Sequence, residues 1–211
     1  MDLKKRIKRW IRGGWFLLKS VLWERPRGLD FSLRKPHTQM NTEGNHGYAL
    51  TPRKSFDNIL KQIDINEKDR FIDVGCGKGG CLLYATRYGF ARIGGIEIEQ
   101  DLFETAIRNF ERLKITRIEV FNADAVTYEH YDEWNVFFLF NPFSDEIYKL
   151  VINNILSTLN ENRMDNRAYI ICYGGTITDY IRSTNKVRLM KSYMDNIRDS
   201  TVNIWMWNKE S

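Results

Sequence analysis

Phe71-Ile-Asp-Val-Gly-Cys-Gly-Lys-Gly-Gly80 decides the fold: a short apolar run containing one acid, Asp73, leads straight into a turn built of glycines. Such a run, bounded by a turn signal, reads as a buried strand. Cys81-Leu-Leu-Tyr-Ala85 then begins a helix. Gly75, Gly77 and Gly79 have no Cβ, so the chain can take positive φ and a ligand can lie against the backbone ahead of the helix. The unit is a cofactor loop. Spacing alone leaves its ligand open, because Gly75, Gly77 and Gly80 also fit G-x-G-x-x-G with Glu97 about twenty residues on, the fingerprint of a nicotinamide or flavin site.

Asp73 weighs against that reading. A carboxylate at the strand's end repels a pyrophosphate and attracts a ligand that carries an ammonium and a sulfonium. S-adenosylmethionine (SAM) is such a ligand. Phe71 to Gly79 resembles motif I of the class I SAM-dependent methyltransferases, and later segments follow in that family's order. Ile93-Gly-Gly-Ile-Glu97 is similar to the second strand, whose terminal acid holds the ribose hydroxyls. Val120-Phe-Asn-Ala-Asp124 is similar to the third-strand segment whose Asp faces the adenine amine, and Asn135 to Phe143 to the fourth strand with its active-site motif. The resemblance covers about residues 48–207. It implies SAM as cofactor, with Asp73 on the methionyl ammonium, Gly75, Gly77 and Gly79 admitting the ligand, Glu97 on the ribose with Glu99 as competitor, and Asp124 on the adenine.

Asn141-Pro142-Phe143 bears on the methyl acceptor. Amino-methylating DNA enzymes carry N-P-P-Y or N-P-P-F here, in which the Asn side chain and the next carbonyl accept from the target amine. Dot1-type lysine methyltransferases share F-x-D-x-G-x-G-x-G, have Asn-Asn-Phe at this place, and use a Tyr- and Thr-containing loop over the cofactor. Tyr48-Ala-Leu-Thr51-Pro52 is the counterpart of that loop, but Pro142 matches neither pattern fully. The acceptor therefore stays open between an amine and a hydroxyl, on a protein side chain or a lipid-linked glycan. An oxygen nucleophile would need a base, for which His46 beside Tyr48 is the candidate; a surface-loop histidine is the other account of it. His37, His46 and His130 show no ligand spacing, and a displacement at a sulfonium carbon needs alignment and no metal.

With 211 residues and 43% hydrophobic content the chain can bury one sizeable core. Cys76, Cys81 and Cys172, an odd count without C-x-x-C, point to reduced thiols in a cytoplasmic protein and away from a disulfide framework. The net charge of +5 is unevenly spread. Residues 1–36 hold eleven Lys or Arg against three acids, a balance of +8, so residues 37–211 carry −3. A mildly acidic domain gives no reason to expect nucleic acid as a partner. Leu3, Ile7, Trp10, Ile11, Leu18, Val21 and Leu22 recur at roughly helical spacing, with Lys4, Lys5, Lys8, Arg9, Arg12 and Lys19 largely opposite, which predicts a basic amphipathic helix. Residues 1–24 would either pack on the domain or a partner chain, or adsorb to an anionic membrane surface at the inner face of the membrane. The expected division is residues 1–36 as helix and connector, marked by Pro26, Gly28 and Pro36, and residues 37–211 as the methyltransferase domain.

Thr51 is expected to cap a helix that has Pro52 at its first position and Phe56, Ile59, Leu60 and Ile63 on its apolar face. Strands are expected near 70–74, 92–97, 117–121, 135–140 and 168–173, with helices near 79–88, 100–112, 145–158 and 176–183. Val187–Tyr193 and Thr201–Trp207 follow as an antiparallel hairpin. The fold class is α/β, a doubly wound, mostly parallel seven-stranded sheet ending in that hairpin. In such sheets ligands sit at the carboxyl ends of the strands, where Asp73, Glu97, Asp124 and Asn141 all fall.

Overall fold

A computed structural model describes residues 18, 20–33, 35, 47–160 and 165–209. The elements are α1 (Arg53–Leu60), β1 (Arg70–Val74), α2 (Gly80–Ala85), β2 (Arg92–Glu97), α3 (Gln100–Leu113), β3 (Ile118–Asn122), β4 (Val136–Phe140), α4 (Asp145–Ser157), β5 (Arg167–Tyr173), α5 (Thr178–Ser183), β6 (Arg188–Asp195) and β7 (Ser200–Asn208). The strands form one seven-stranded sheet in the order β3-β2-β1-β4-β5-β7-β6. β1 to β5 run parallel, and β7 enters antiparallel between β5 and β6. The chain winds outward from β1 through β2 and β3, then returns to the other side of β1 with β4. This reversal leaves a crevice over the carboxyl ends of β1 and β4.

The central strands are buried on both faces, as parallel strands covered by helices must be. Alternation by two sorts their side chains between two cores. Phe71, Val136, Phe138, Tyr169 and Ile171 join Phe56, Phe90 and Phe110 on one face. Ile72, Val74, Phe137, Leu139, Ile170 and Trp205 meet Tyr148, Val151, Ile152 and Ile155 on the other. The fully buried Phe56 sets its ring edge-on to Phe71 at 5.8 Å and to Phe138 at 5.4 Å, which anchors α1 to the sheet.

Three boundaries differ from expectation. Pro52, and not Thr51, stands at the N-cap of α1, with φ −61° and ψ 130° and no side-chain cap. Thr51 lies one residue before that cap, with its side chain buried near Cys81. α2 stops at Ala85, short of 88, and Ile63 is buried beyond the end of α1.

The basic amphipathic helix expected for residues 1–24 lies largely outside the described residues. Its described end is one π-helical turn, Ser20–Glu24, followed by a 3-10 turn, Arg25–Arg27. The connector after it packs on the domain. Leu29 and Phe31 are buried, Phe31 against Phe110 with ring centres 6.4 Å apart. The buried Glu24 carboxylate closes the segment by accepting from the Phe31 and Ser32 amides at 3.1 and 3.0 Å.

β2 contains Gly94 and Gly95 because neighbours occupy the space a side chain would need. A Cβ on Gly94 would stand 2.4 Å from the buried Trp134 ring, and one on Gly95 would stand 2.7 Å from Cys76 and Leu82. Gly94→Ala is expected to cost about 1–3 kcal/mol by overpacking. Urea titration should show a lower midpoint with an unchanged slope, as for a loss of stability without a change in the surface exposed.

Candidate active site

The glycine turn is built by hydrogen bonds to the end of β2. The Gly75 and Cys76 amides both donate to the Ile96 carbonyl at 2.9 Å, and the Gly77 amide donates to Glu97 Oε2 at 2.8 Å. Gly75 and Gly77 hold φ of 82° and 55°, in the left-handed region that favours glycine. The turn forms one wall of a cavity of about 660 Å³ over the ends of β1, β2 and β4.

Most of the candidate residues reach this cavity. Tyr48, Thr51, Asp73, Gly75, Gly77, Glu97, Asp124, Asn141, Pro142 and Phe143 line it. Gly79 does not, contrary to the contact with a cofactor expected for it. It caps α2 with φ 81°, and a Cβ there would come within 2.4 Å of Phe110, so its small size serves the packing of α2 on α3. His46 lies outside the described residues. His130 is an exposed loop residue 3.5 Å from Glu133 and does not line the cavity. Among the described residues no cluster of His, Cys, Asp and Glu could hold a metal ion.

The cavity floor is acidic. Asp73 is buried, and its carboxyl is pushed well above the usual carboxylate range, first by burial and then by the neighbouring charge of Glu97. Its one moderating contact is the Cys81 thiol, which in turn is engaged by Thr51. Glu97 is pushed up to about 7 by burial, although the Glu99 and Gly77 amides hold its ionised form. Those amides sit at 2.9 and 2.8 Å, one on each oxygen, which leaves acceptor capacity on both. Glu99 points elsewhere, 3.5 Å from Lys35, and does not line the cavity. Two buried acids at adjacent strand ends make a site suited to a cation and to hydroxyl donors.

Tyr48 covers the turn. Its ring lies against Gly77, where a Cβ would come within 2.3 Å, and the Lys78 ammonium sits 5.4 Å from the ring centre. Its hydroxyl donates to the Phe31 carbonyl at 2.5 Å, so the connector and the loop brace each other. At the third strand Asp124 is exposed and accepts the Val126 amide at 2.8 Å, an Asx turn that holds its carboxylate at the cavity rim. Asn141 takes φ 39° and packs on Gly174 and Gly175, which follow β5 with φ of 78° and 85°. Pro142 rides over Gly75, and Phe143 is buried against Tyr148.

Sequence reasoning missed part of the lining. Gly174 and Gly175 were legible as a glycine pair directly after a strand. Arg198 and Ser200 carried no such signal, since they lie in the β6–β7 turn and at the first residue of β7 and reach the cavity only because β7 runs antiparallel beside β5.

Residues 71–162 match the family model of a methyltransferase domain. Among curated proteins none matches this sequence. Several solved structures share the fold. An RNA methyltransferase from Salinibacter ruber, in complex with S-adenosyl-L-homocysteine, is 19% identical with a TM-score of 0.58, over 76% of this chain and 95% of that one. The YcgJ protein from Bacillus subtilis is 9% identical with a TM-score of 0.57, over 76% and 100%. A glutamate-to-glutamine mutant of MtNAS in complex with S-adenosylmethionine is 17% identical with a TM-score of 0.56, over 75% of this chain and 63% of that one. Together with the donors and acids around the cavity, the methyltransferase match supports S-adenosylmethionine as the cofactor.

The Glu97 carboxyl has a direct consequence for stability. Its value in the folded chain, about 7, lies above its ordinary 4.5, so the folded state holds this proton more tightly than the unfolded state. That contribution is complete below 4.5 and is lost as pH rises through 7. At about 1.4 kcal/mol per pH unit, it amounts to about 3 kcal/mol. Without ligand, wild type should lose that much stability relative to Glu97→Gln between pH 4.5 and 7.5, measured by urea unfolding; parallel pH profiles would contradict the burial argument.

Proposed function

We propose that the chain is a SAM-dependent methyltransferase acting on an amine or hydroxyl of an acceptor, either a protein side chain or a lipid-linked glycan. The observation that carries the reading is the pair of buried carboxylates, Asp73 and Glu97, opening into one cavity beside the glycine turn. Asp73 would hold the methionyl ammonium, Glu97 the ribose hydroxyls and Asp124 the adenine amine, each carboxylate facing donors. Gly75 and Gly77 let the Pro142 and Tyr48 side chains close onto the turn at that wall of the cavity. When bound, SAM supplies an electrophilic methyl group on a positively charged sulfur. Asn141, at the end of β4, would accept from the incoming amine or hydroxyl through its side-chain oxygen and so orient it. The left-handed backbone of Asn141 turns the chain at the cavity rim, where an acceptor can enter.

A nicotinamide-linked oxidoreductase is the competing reading of the glycine spacing. Asp73 counts against it, since a buried acid beside the turn would repel a pyrophosphate. A non-catalytic SAM-binding scaffold would not need Asn141 at the cavity. S-adenosylhomocysteine at about 100 times its Kd should stabilise the fold by about 2.7 kcal/mol in thermal unfolding. NADH should have no effect, and stabilisation by NADH alone would overturn the reading. Asn141→Ala should leave S-adenosylhomocysteine affinity within about twofold while it depresses transfer of labelled methyl from SAM to lysate acceptors by at least about tenfold.

We further propose that residues 1–24, which carry seven Lys or Arg, bring the chain to an anionic membrane surface; packing on the domain or a partner chain is the other account of them. Leu18, Leu22 and Trp23 are 50%, 66% and 38% exposed, and the Arg27 guanidinium lies 5.6 Å from the Trp23 ring. Apolar insertion and charge attraction would act together there. Among the described residues no helix is long and apolar enough to cross a membrane. Cosedimentation should show binding to anionic vesicles but not to neutral ones, weakened by high salt and lost on removal of residues 1–24. Failure of the intact chain to bind anionic vesicles would withdraw the membrane proposal.

A further inference from the structure

The cavity that holds Asp73 also holds one arginine, Arg198, from the turn between β6 and β7. Its placement is fixed from several sides. The Asp195 carboxylate accepts the Ile197 and Arg198 amides at 3.2 and 3.3 Å, and it also accepts from Ser55 Oγ at 2.8 Å and from the Tyr173 hydroxyl. That carboxyl is buried, which alone would raise it, yet the hydrogen bonds from Tyr173, Ser55 and the two amides leave it below its ordinary value. The turn is therefore pinned to α1 and β5 by an ionised Asp195. The guanidinium itself donates to the Leu50 carbonyl and lies over the Phe140 ring, 5.4 Å from its centre.

This position is at the Asp73 end of the cavity. Asp73 pairs with Phe138 in the β1–β4 register, and Phe140, whose ring Arg198 covers, follows two residues along β4 on the same face of the sheet. The charge of Arg198 acts on Cys81 directly, favouring its ionised form. A carboxyl group and a guanidinium thus stand on one face of the sheet in the same cavity. This is the arrangement that recognises a zwitterion, an ammonium and a carboxylate on one carbon.

Resting on the methyltransferase reading, we infer that Arg198 binds the α-carboxylate of the cofactor while Asp73 binds its α-ammonium. A guanidinium carries five N–H donors in a planar fork, so it can serve the Leu50 carbonyl and a ligand carboxylate together. Stacking on Phe140 and the pinned turn hold that fork before the ligand arrives, which lowers the ordering cost of binding. Asp73 as acceptor and Arg198 as donor also set the polarity of the site: the amino acid end of the ligand enters in one orientation only.

The test compares S-adenosylhomocysteine with its decarboxylated analogue, which keeps the amine, by calorimetry. Wild type should bind S-adenosylhomocysteine at least about tenfold more tightly than the analogue, in line with a charge-assisted pair. Arg198→Gln should erase that ratio with analogue affinity unchanged within about twofold, and Arg198→Lys should keep part of it. A preserved ratio in Arg198→Gln would overturn the inference and turn Arg198 toward an anionic acceptor, with cofactor binding intact. Equal weakening of both ligands would overturn it in favour of a purely structural pin between the hairpin and Leu50. If wild type binds neither ligand, the methyltransferase reading itself falls, and this assignment with it.

Discussion

The bond from the Gly77 amide to Glu97 Oε2, 2.8 Å long, ties the glycine turn after β1 to the end of β2. Around it the Gly75 and Cys76 amides share the Ile96 carbonyl, so the turn cannot move without breaking its hydrogen bonds to the carboxyl end of β2. An amide that donates to a buried carboxylate does two things. It satisfies the donor, and it holds part of the charge of an acid that burial has made costly. The shape of the cavity and the readiness of Glu97 to accept further donors both follow from this contact.

The site is electrostatically unbalanced in a way that the rest of the fold is not. Elsewhere among the described residues partly buried charges form pairs: Arg92 with Glu119 and Glu133 at 2.8 and 2.9 Å, Lys78 with Asp30 at 2.6 Å, Arg70 with Asp165 at 2.6 Å. At the adjacent ends of β1 and β2, burial raises both Asp73 and Glu97, and the charge of Glu97 adds to the cost of ionising Asp73. Acids perturbed by burial and by each other cluster at functional sites, where a ligand's donors offset that cost. The connector contributes on the outside. Asn109 accepts the Asp30 amide at 2.9 Å and donates to the Asp30 and Lys78 carbonyls at 3.0 and 3.2 Å, which holds that segment against the helix side of the glycine turn.

Much of the sheet could be read from the chain. Buried parallel strands are continuous apolar runs, and β1 and β2 fell on residues 70–74 and 92–97 as expected, because a glycine turn or polar loop marks each end. The ends of α1 were harder. Thr51 carries a good capping side chain, but it is buried in the cavity wall and the N-cap falls one residue later, at Pro52. Gly79 shows the same limit, for a glycine needed to pass Phe110 looks in sequence like a glycine needed to admit a ligand.

By itself the sequence determined the strand order's raw material and the acids at the strand ends, Asp73, Glu97 and Asp124, since period and position along a strand say which end of a parallel sheet a residue occupies. Only the tertiary structure decided that Gly79 packs on Phe110 and stays out of the cavity, and that Arg198 joins it. Both depend on contacts far apart in the chain. Arg198 lies 125 positions after Asp73, and it arrives because β7 inserts antiparallel beside β5, which carries the hairpin turn to the carboxyl ends of the parallel strands. No local pattern encodes that insertion; it follows from which sheet edge can bury Val202, Ile204 and Trp205.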